Sequence, residues 1–323
     1  MNTSLPTTNF PIGRFIKEVG RGKKGARSLA RDDAYMIYEA MLDQRISDLE
    51  VGGFMLAMRI KGESVQEIAG FLEAAENSFD RLDAPQGEYA PVVIPSYNGS
   101  RQMPNLTPLL ACLLAREGVP VFIHGMINDP GRVTTAEILQ EMEVSFCSTN
   151  EEVQAQFAKR SPAFMPIAAL APKMSHLLSL RRILGLRNST HTLVKLLQPF
   201  KQSALRLTSY THPEYFTLLT DYFGTAAPAE RGDVFLMRGT EGETVANAKR
   251  GQQIAWFHAG QSITLVERQA PVDELPGLPE QSDAKTTAAW IIEALQSKHA
   301  IPGPIAEQVE HCITVARKMR ASA

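Results

Sequence analysis

VVIPSYNGSRQMPNLTPLLACLLAREGVPVFIH, residues 92–124, decides the fold class. It opens on a short apolar run of β-branched character at 92–95. A helix follows over 105–116, closed by Gly118, and 119–124 is a second strand. Strand and helix alternating at this spacing predict a mostly parallel α/β sheet, whose ligands bind at the carboxyl ends of the strands. Downstream the pattern continues with a helix over 134–143, an apolar segment at 164–170, and strands at 234–237, 254–257 and 263–267. A connector rich in proline and acid, 271–279, leads to two closing helices, 282–296 and 304–320. Upstream the signals are helical. Asp32-Asp33 precedes an amphipathic run to Arg45, and the boxes Ser47 to Glu50 and Ser64 to Glu67 each open a further helix. Lys61-Gly62 separates these two helices, and the second ends near Ser78. The segment 173–200 reads as helix again and is expected to pack back on the first helices. The organisation predicted is therefore a small all-helical domain, 1–86 plus about 173–203, and a larger mostly parallel-sheet α/β domain, 87–172 plus about 204–323.

At 323 residues, 44% hydrophobic and 21% charged, the chain has an ordinary globular composition with room for a large core. No apolar run approaches the roughly 20 residues a membrane span needs. The first residues have no charged stretch followed by an apolar one, so a cytoplasmic protein with no membrane partner is expected. Cys112, Cys147 and Cys312 are odd in number and widely spaced, which argues for buried thiols and against a disulfide framework or a zinc site. No metal and no cofactor are predicted.

The net charge is only −2, but it is unevenly placed. Between Glu152 and Glu214 lie 61 residues without one Asp or Glu, carrying Lys159, Arg160, Lys173, Arg181, Arg182, Arg187, Lys195, Lys201 and Arg206. The rest of the chain holds 24 basic against 35 acidic residues. A second basic cluster, Arg14 to Arg31, has seven cations against Glu18 alone and includes Lys23 and Lys24. Such asymmetry is what an anion-binding face requires even in a near-neutral molecule. The glycine- and lysine-rich stretch 20–27 has no G-K-[ST] ending and no preceding strand, so it is a basic turn and not a nucleotide loop. His176, His191, His212 and His258 lack metal-ligand spacing and are assigned to structure. Ser189-Thr190-His191 has no nucleophile elbow.

Laid end to end, this organisation resembles anthranilate phosphoribosyltransferase and, more distantly, the pyrimidine nucleoside phosphorylases. The resemblance is carried by LSLRRILGLRNSTHTLVKLLQPF at 178–200, similar to the family segment RRxLGxRTxFNxLGPLxNP, and by VPVFIHGMINDPGRVTTAEILQEMEV at 119–144, similar to KHGNRxxSSKxGSADVLEALG. VVIPSYNGSR, FIHG and RGTEGETVAN are similar to the signatures of the non-biosynthetic YbiB-type branch, glycosyltransferase family 3 relatives that are homodimers binding nucleic acid without sequence preference. The resemblance implies a nucleoside phosphorylase/phosphoribosyltransferase-like fold, with the dimer formed through the N-terminal helices.

The departures from the transferase pattern bear on function. Its GTGGD loop, whose amides cradle pyrophosphate, aligns with Pro95-Ser96-Tyr97-Asn98-Gly99, in which four of five residues are not glycine and Pro95 has no N–H. A crippled cradle is expected. The Mg²⁺-holding Asp-Glu pair aligns near Glu243-Thr244, with Glu241 two residues upstream, so one carboxylate of two survives. Ile123-His124-Gly125-Met126 replaces Lys-His-Gly-Asn, and Val194-Lys195 replaces the Gly-Pro that lines the aromatic-acid site. The resemblance places Ser96, Asn98, Gly99, His124, Gly125, Arg132 and Glu243 in a vestigial pocket, with Arg132 where a lysine contacts phosphate. No catalytic residue is assigned.

The function expected is sequence-independent binding of nucleic acid, DNA or RNA with single strands favoured, by a homodimer. The residues expected to contact the phosphate backbone are Lys23 and Lys24 in the basic turn, Arg101 in the loop after the first strand, and Lys173, Arg181, Arg182, Arg187, Lys195, Lys201 and Arg206 in the acid-free span. Tyr97 is a candidate for stacking on a base. The alternative is a glycosyl- or phosphoribosyltransferase acting on an unusual substrate, with His124, Arg132, Arg181 and Glu243 in a reduced pocket.

Overall fold

A computed structural model describes residues 10–22, 24–272 and 277–322. The chain divides into two compact units, Met1–Asp80 with Ala171–Leu197, and Arg81–Leu170 with Gln198–Ala323.

The first unit is helical. Ser47 and Ser64 each accept the N–H of a glutamate three residues on, and Glu50 and Glu67 reach back to the capping residue's own N–H, so both boxes form and open Asp48–Lys61 and Val65–Glu76. Gly62, at φ +83, turns the chain between them. Arg31–Leu42 lies along Val65–Glu76, with Tyr38 and Phe71 rings 5.3 Å apart and Phe54 edge-on to Phe71. Gly70 permits this approach, because a Cβ there would fall on the Arg31 carbonyl and 2.8 Å from the Tyr35 nitrogen. Glu67 is fully buried and satisfied on several sides, by the Leu29 and Ser64 N–H groups and by Lys61 Nζ at 2.7 Å. The returning segment joins this core where Tyr38 donates to Thr190 Oγ1 at 2.9 Å. The stretch 173–200, expected to be helical, is helical only in part. Pro172–Ser179, Arg181–Leu184 and Thr190–Leu193 are three short pieces, the second ended by Gly185 in the left-handed region at φ +70.

The second unit is built on seven strands: β1 Val92–Ser96, β2 Val121–Gly125, β3 Ala163–Pro166, β4 Leu205–Tyr210, β5 Val234–Arg238, β6 Ile254–His258 and β7 Gln261–Val266. They lie in the order β3-β2-β1-β4-β5-β6-β7. The first five are parallel, whereas β6 and β7 are antiparallel additions at one edge. Thr107–Arg116, the pair Thr135–Glu141 and Asn150–Ala158, and Pro213–Thr225 make the crossovers. Ala284–Leu295 and Gly303–Ala321 contribute Trp290, Ile291, Ile305, Cys312 and Ala316 to the core.

Strand β4 and the helix after it are elements the sequence pattern did not reveal. LRLTSY alternates apolar with polar residues like a half-exposed strand, yet it is central, and Arg206, Thr208 and Ser209 are all buried. Its place matters, because the chain runs from β1 outward to β2 and β3, then returns to β4 on the other side of β1. That reversal is the switch point beside which ligands bind in open α/β sheets. Among the described residues, no helix is long and apolar enough to cross a membrane.

Candidate functional site

Two loops of the second unit meet at the carboxyl ends of β1 and β5. The first is residues 97–103. Pro95 and Ser96 still belong to β1, opposite His124 and Gly125, so the missing proline N–H lies before the loop and does not impair it. The second is a hairpin, Thr240–Glu243, whose end residues exchange N–H···O bonds of 3.0 Å in both directions. Glu241 at φ +51 and Gly242 at φ +96 give it the signature of a type I′ turn. A Cβ on Gly242 would fall inside the Asn98 amide.

The hairpin carries two carboxylates into the first loop. Glu243 Oε1 accepts the N–H groups of Asn98 at 2.8 Å and Gly99 at 2.6 Å. Glu241 accepts three consecutive N–H groups, from Arg101 at 2.8 Å on Oε2 and from Gln102 at 2.9 Å and Met103 at 2.8 Å on Oε1. Five amides of this loop thus converge on carboxylates, and the carboxylates belong to the chain. Hydrogen bonds to charged groups are worth about 1.5 kcal/mol or more each, whereas a left-handed non-glycine residue costs about 1–2 kcal/mol, so the amides outweigh the strain at Glu241. Arg132 belongs to the same assembly. Its guanidinium donates to the carbonyls of Gly99 at 3.2 Å and Glu241 at 3.3 Å and stands 3.8 Å from Glu241 Oε2, so it clamps the two loops where a phosphate contact was expected.

Beneath the loops the remaining pocket residues are packed. Ser96 Oγ donates to Thr135 Oγ1 at 2.8 Å, Asn105 also reaches Thr135 at 3.1 Å, and a Cβ on Gly125 would collide with the Ser96 carbonyl. Tyr97 OH lies 2.6 Å from His124 Nδ1, the rings meeting edge to face at 5.5 Å. Burial lowers the His124 imidazole to about 3, and burial together with the Glu243 carboxylate holds the Tyr97 phenol well above its usual value. Both are therefore neutral partners, and Tyr97 is held against His124 instead of being offered to a base. His124 Nε2 and Glu243 Oε2 are buried without a protein partner.

A magnesium ion does not fit here. Glu243 is fully buried with one oxygen spent on amides, Thr244 stands where a second carboxylate would be needed, and no group of three or more His, Cys, Asp or Glu residues among those described could hold a metal.

The cations are dispersed between the units. Lys159, Arg160, Lys201 and Arg206 belong to the second, and Lys173, Arg181, Arg182, Arg187 and Lys195 to the first. Arg206 is corrected outright: it is 2% exposed, donates to the Gly232 carbonyl at 3.3 Å and lies 6.0 Å from the Phe223 ring centre, so it is a core residue. Burial lowers its guanidinium to about 10. Lys201 pairs with Asp83 at 2.9 Å and Lys173 with Asp43 at 2.7 Å. Acids remote in sequence thus supply partners that the acid-free span lacks. Arg101 and Lys24 are exposed, and Lys23 lies outside the described residues. In the first unit, however, Arg187, Arg181 and Lys195 all bear on one imidazole. His191 is lowered to about 3, first by burial and then by these three charges in that order. They occupy the short-helix segment, and Arg182 is exposed beside them.

Fold and site together define the class, a phosphoribosyltransferase-type scaffold whose anion nest is filled from within. Anthranilate phosphoribosyltransferase from Thermus thermophilus superposes with a TM-score of 0.70 at 19% identity, covering 95% of this chain and 94% of that one. The Saccharomyces cerevisiae enzyme in complex with PRPP and Mg gives 0.68 at 14% identity, covering 96% and 88%. Residues 14–78 match the helical bundle domain of the glycosyl transferase family. Uncharacterized protein YbiB of Escherichia coli K12 is 42% identical over 302 residues, 93% of this chain and 92% of that protein. The chain belongs to the YbiB-like family.

Residues that the sequence reading left outside the vestigial pocket include Glu241, Tyr97, Asn105 and Thr135. Only Glu241 left a local trace, since Thr-Glu-Gly-Glu between a strand and a loop places a side chain where a type I′ turn favours Asn, Asp or Gly.

Proposed function

We propose that this chain binds nucleic acid without regard to sequence, favouring single strands, as a homodimer on a phosphoribosyltransferase-type scaffold. The reading rests on Arg181, Arg187 and Lys195, whose charges all act on the His191 imidazole in the first unit and which come from a stretch with no acidic neighbour in sequence. Guanidinium groups supply forks and the lysine a point charge, which suits a phosphate backbone. The filled nest supports the same reading, because the chain's own carboxylates occupy the amides a sugar-phosphate substrate would need. A two-fold axis would double the basic surface.

The test is a gel-shift comparison of single- and double-stranded oligonucleotides with the unaltered chain and with Arg181→Glu/Arg187→Glu/Lys195→Glu, both checked by circular dichroism and light scattering. The reading expects a folded dimeric triple variant that binds roughly tenfold or more weaker at low salt. Undiminished binding by a folded triple variant overturns it, and so does metal-dependent binding of phosphoribosyl pyrophosphate by the unaltered chain.

A further inference from the structure

The two carboxylates of the hairpin are not equivalent. Glu243 is fully buried and anchors the hairpin to Asn98 and Gly99. Glu241 lies nearer the surface, its side chain 19% exposed, and the residues whose amides it takes include the exposed Arg101 and Gln102. Three successive N–H groups pointing at one position form an anion-binding nest. Glu241 fills it from the first central position of a tight turn, at a positive φ where Asn, Asp or Gly is favoured. The backbone there would be better served by another residue, so the side chain accounts for the glutamate.

We propose that Glu241 and the hairpin that carries it form an autoinhibitory plug, which closes the 101–103 nest to phosphate-type anions and opens only when the hairpin lifts. Arg132 works as the latch, since it holds the Gly99 and Glu241 carbonyls together. A nest closed for most of the time binds an external anion with an affinity reduced by the fraction of molecules in the open state. Removing the plug removes that penalty.

The probe is inorganic pyrophosphate without metal, followed by calorimetry and by the amide resonances of Arg101, Gln102 and Met103. In the unaltered chain these three resonances are expected not to move, whatever heat the cations of the first unit contribute. Glu241→Asn places the most favoured side chain in the turn while withdrawing the charge, and Glu241→Gln keeps the length. Both are expected to bind pyrophosphate roughly tenfold or more tighter than the unaltered chain. Folded variants that bind no better than the unaltered chain overturn the proposal. So does movement of the three resonances in the unaltered chain, a measurement that stands even if a variant does not fold. Neither arm uses nucleic acid, so failure here is separate from failure of the binding function proposed above.

Discussion

His124 and His191 show what burial does to a single titrating group. Each is lowered from an ordinary value of 6.5 to about 3, His124 by burial and His191 by burial and then by its three cations. Between those values the unfolded chain takes up a proton that the folded chain refuses, so folded stability is complete above about pH 6.5 and falls as the pH is lowered toward 3. Each histidine contributes a slope of about 1.4 kcal/mol per pH unit inside that window. One sits in each unit, so denaturant midpoints taken from about pH 7 to about pH 4 should decline in both. His124→Gln, which can still accept from Tyr97, should flatten the decline in the second unit alone; an unchanged slope would show that the imidazole is not held neutral. Neither histidine announced this in sequence. The same holds for Arg206, which reads as one more cation in a basic span and is a core side chain.

Elements were legible where their signals are short in range. The boxes Ser47 to Glu50 and Ser64 to Glu67 can be read within four residues and form as written. Strands β1 and β2 and the helix between them likewise lie close to the expected bounds. Strand β4 escaped because its polar residues are buried by neighbours remote in sequence. The stretch 173–200 was overextended because its helical composition outweighed one glycine. Helix packing carries its own prediction. In Val65–Glu76 a methyl group on Gly70 would meet the backbone of Arg31–Leu42, which cannot yield as a flexible side chain would. Gly70→Ala should therefore destabilise the first unit by about 1–3 kcal/mol or more despite alanine's better helix propensity, read as a lowered midpoint of chemical unfolding. A neutral or stabilising result would mean that the two helices are not in close backbone contact.

At the scale of the whole molecule, the charge map has a thermodynamic consequence. The balance of −2 conceals a first unit in which three cations bear on one ring, and a second in which anions of the chain fill a nest of amides. The proposed binding to a polyanion through the first should weaken linearly on a plot of log affinity against log salt concentration. Reversing Arg181, Arg187 and Lys195 should lower that slope by about one for every phosphate no longer neutralised, alongside the weaker binding in the gel shift. A slope left intact would place the phosphate-binding residues elsewhere on the molecule.

From the sequence alone came the alternation that defines an α/β sheet, the helical first unit, and the substitutions that separate the 95–99 and 243–244 segments from the transferase pattern, because each is written in neighbouring residues. What those substitutions accomplish was decided only in three dimensions. The Glu241 carboxylate meets amides some 140 positions earlier in the chain, Asp43 and Asp83 neutralise lysines more than a hundred residues away, and Arg206 turns inward. Hydrogen bonds and ion pairs act over a few ångströms of space, and folding alone determines which residues share that space.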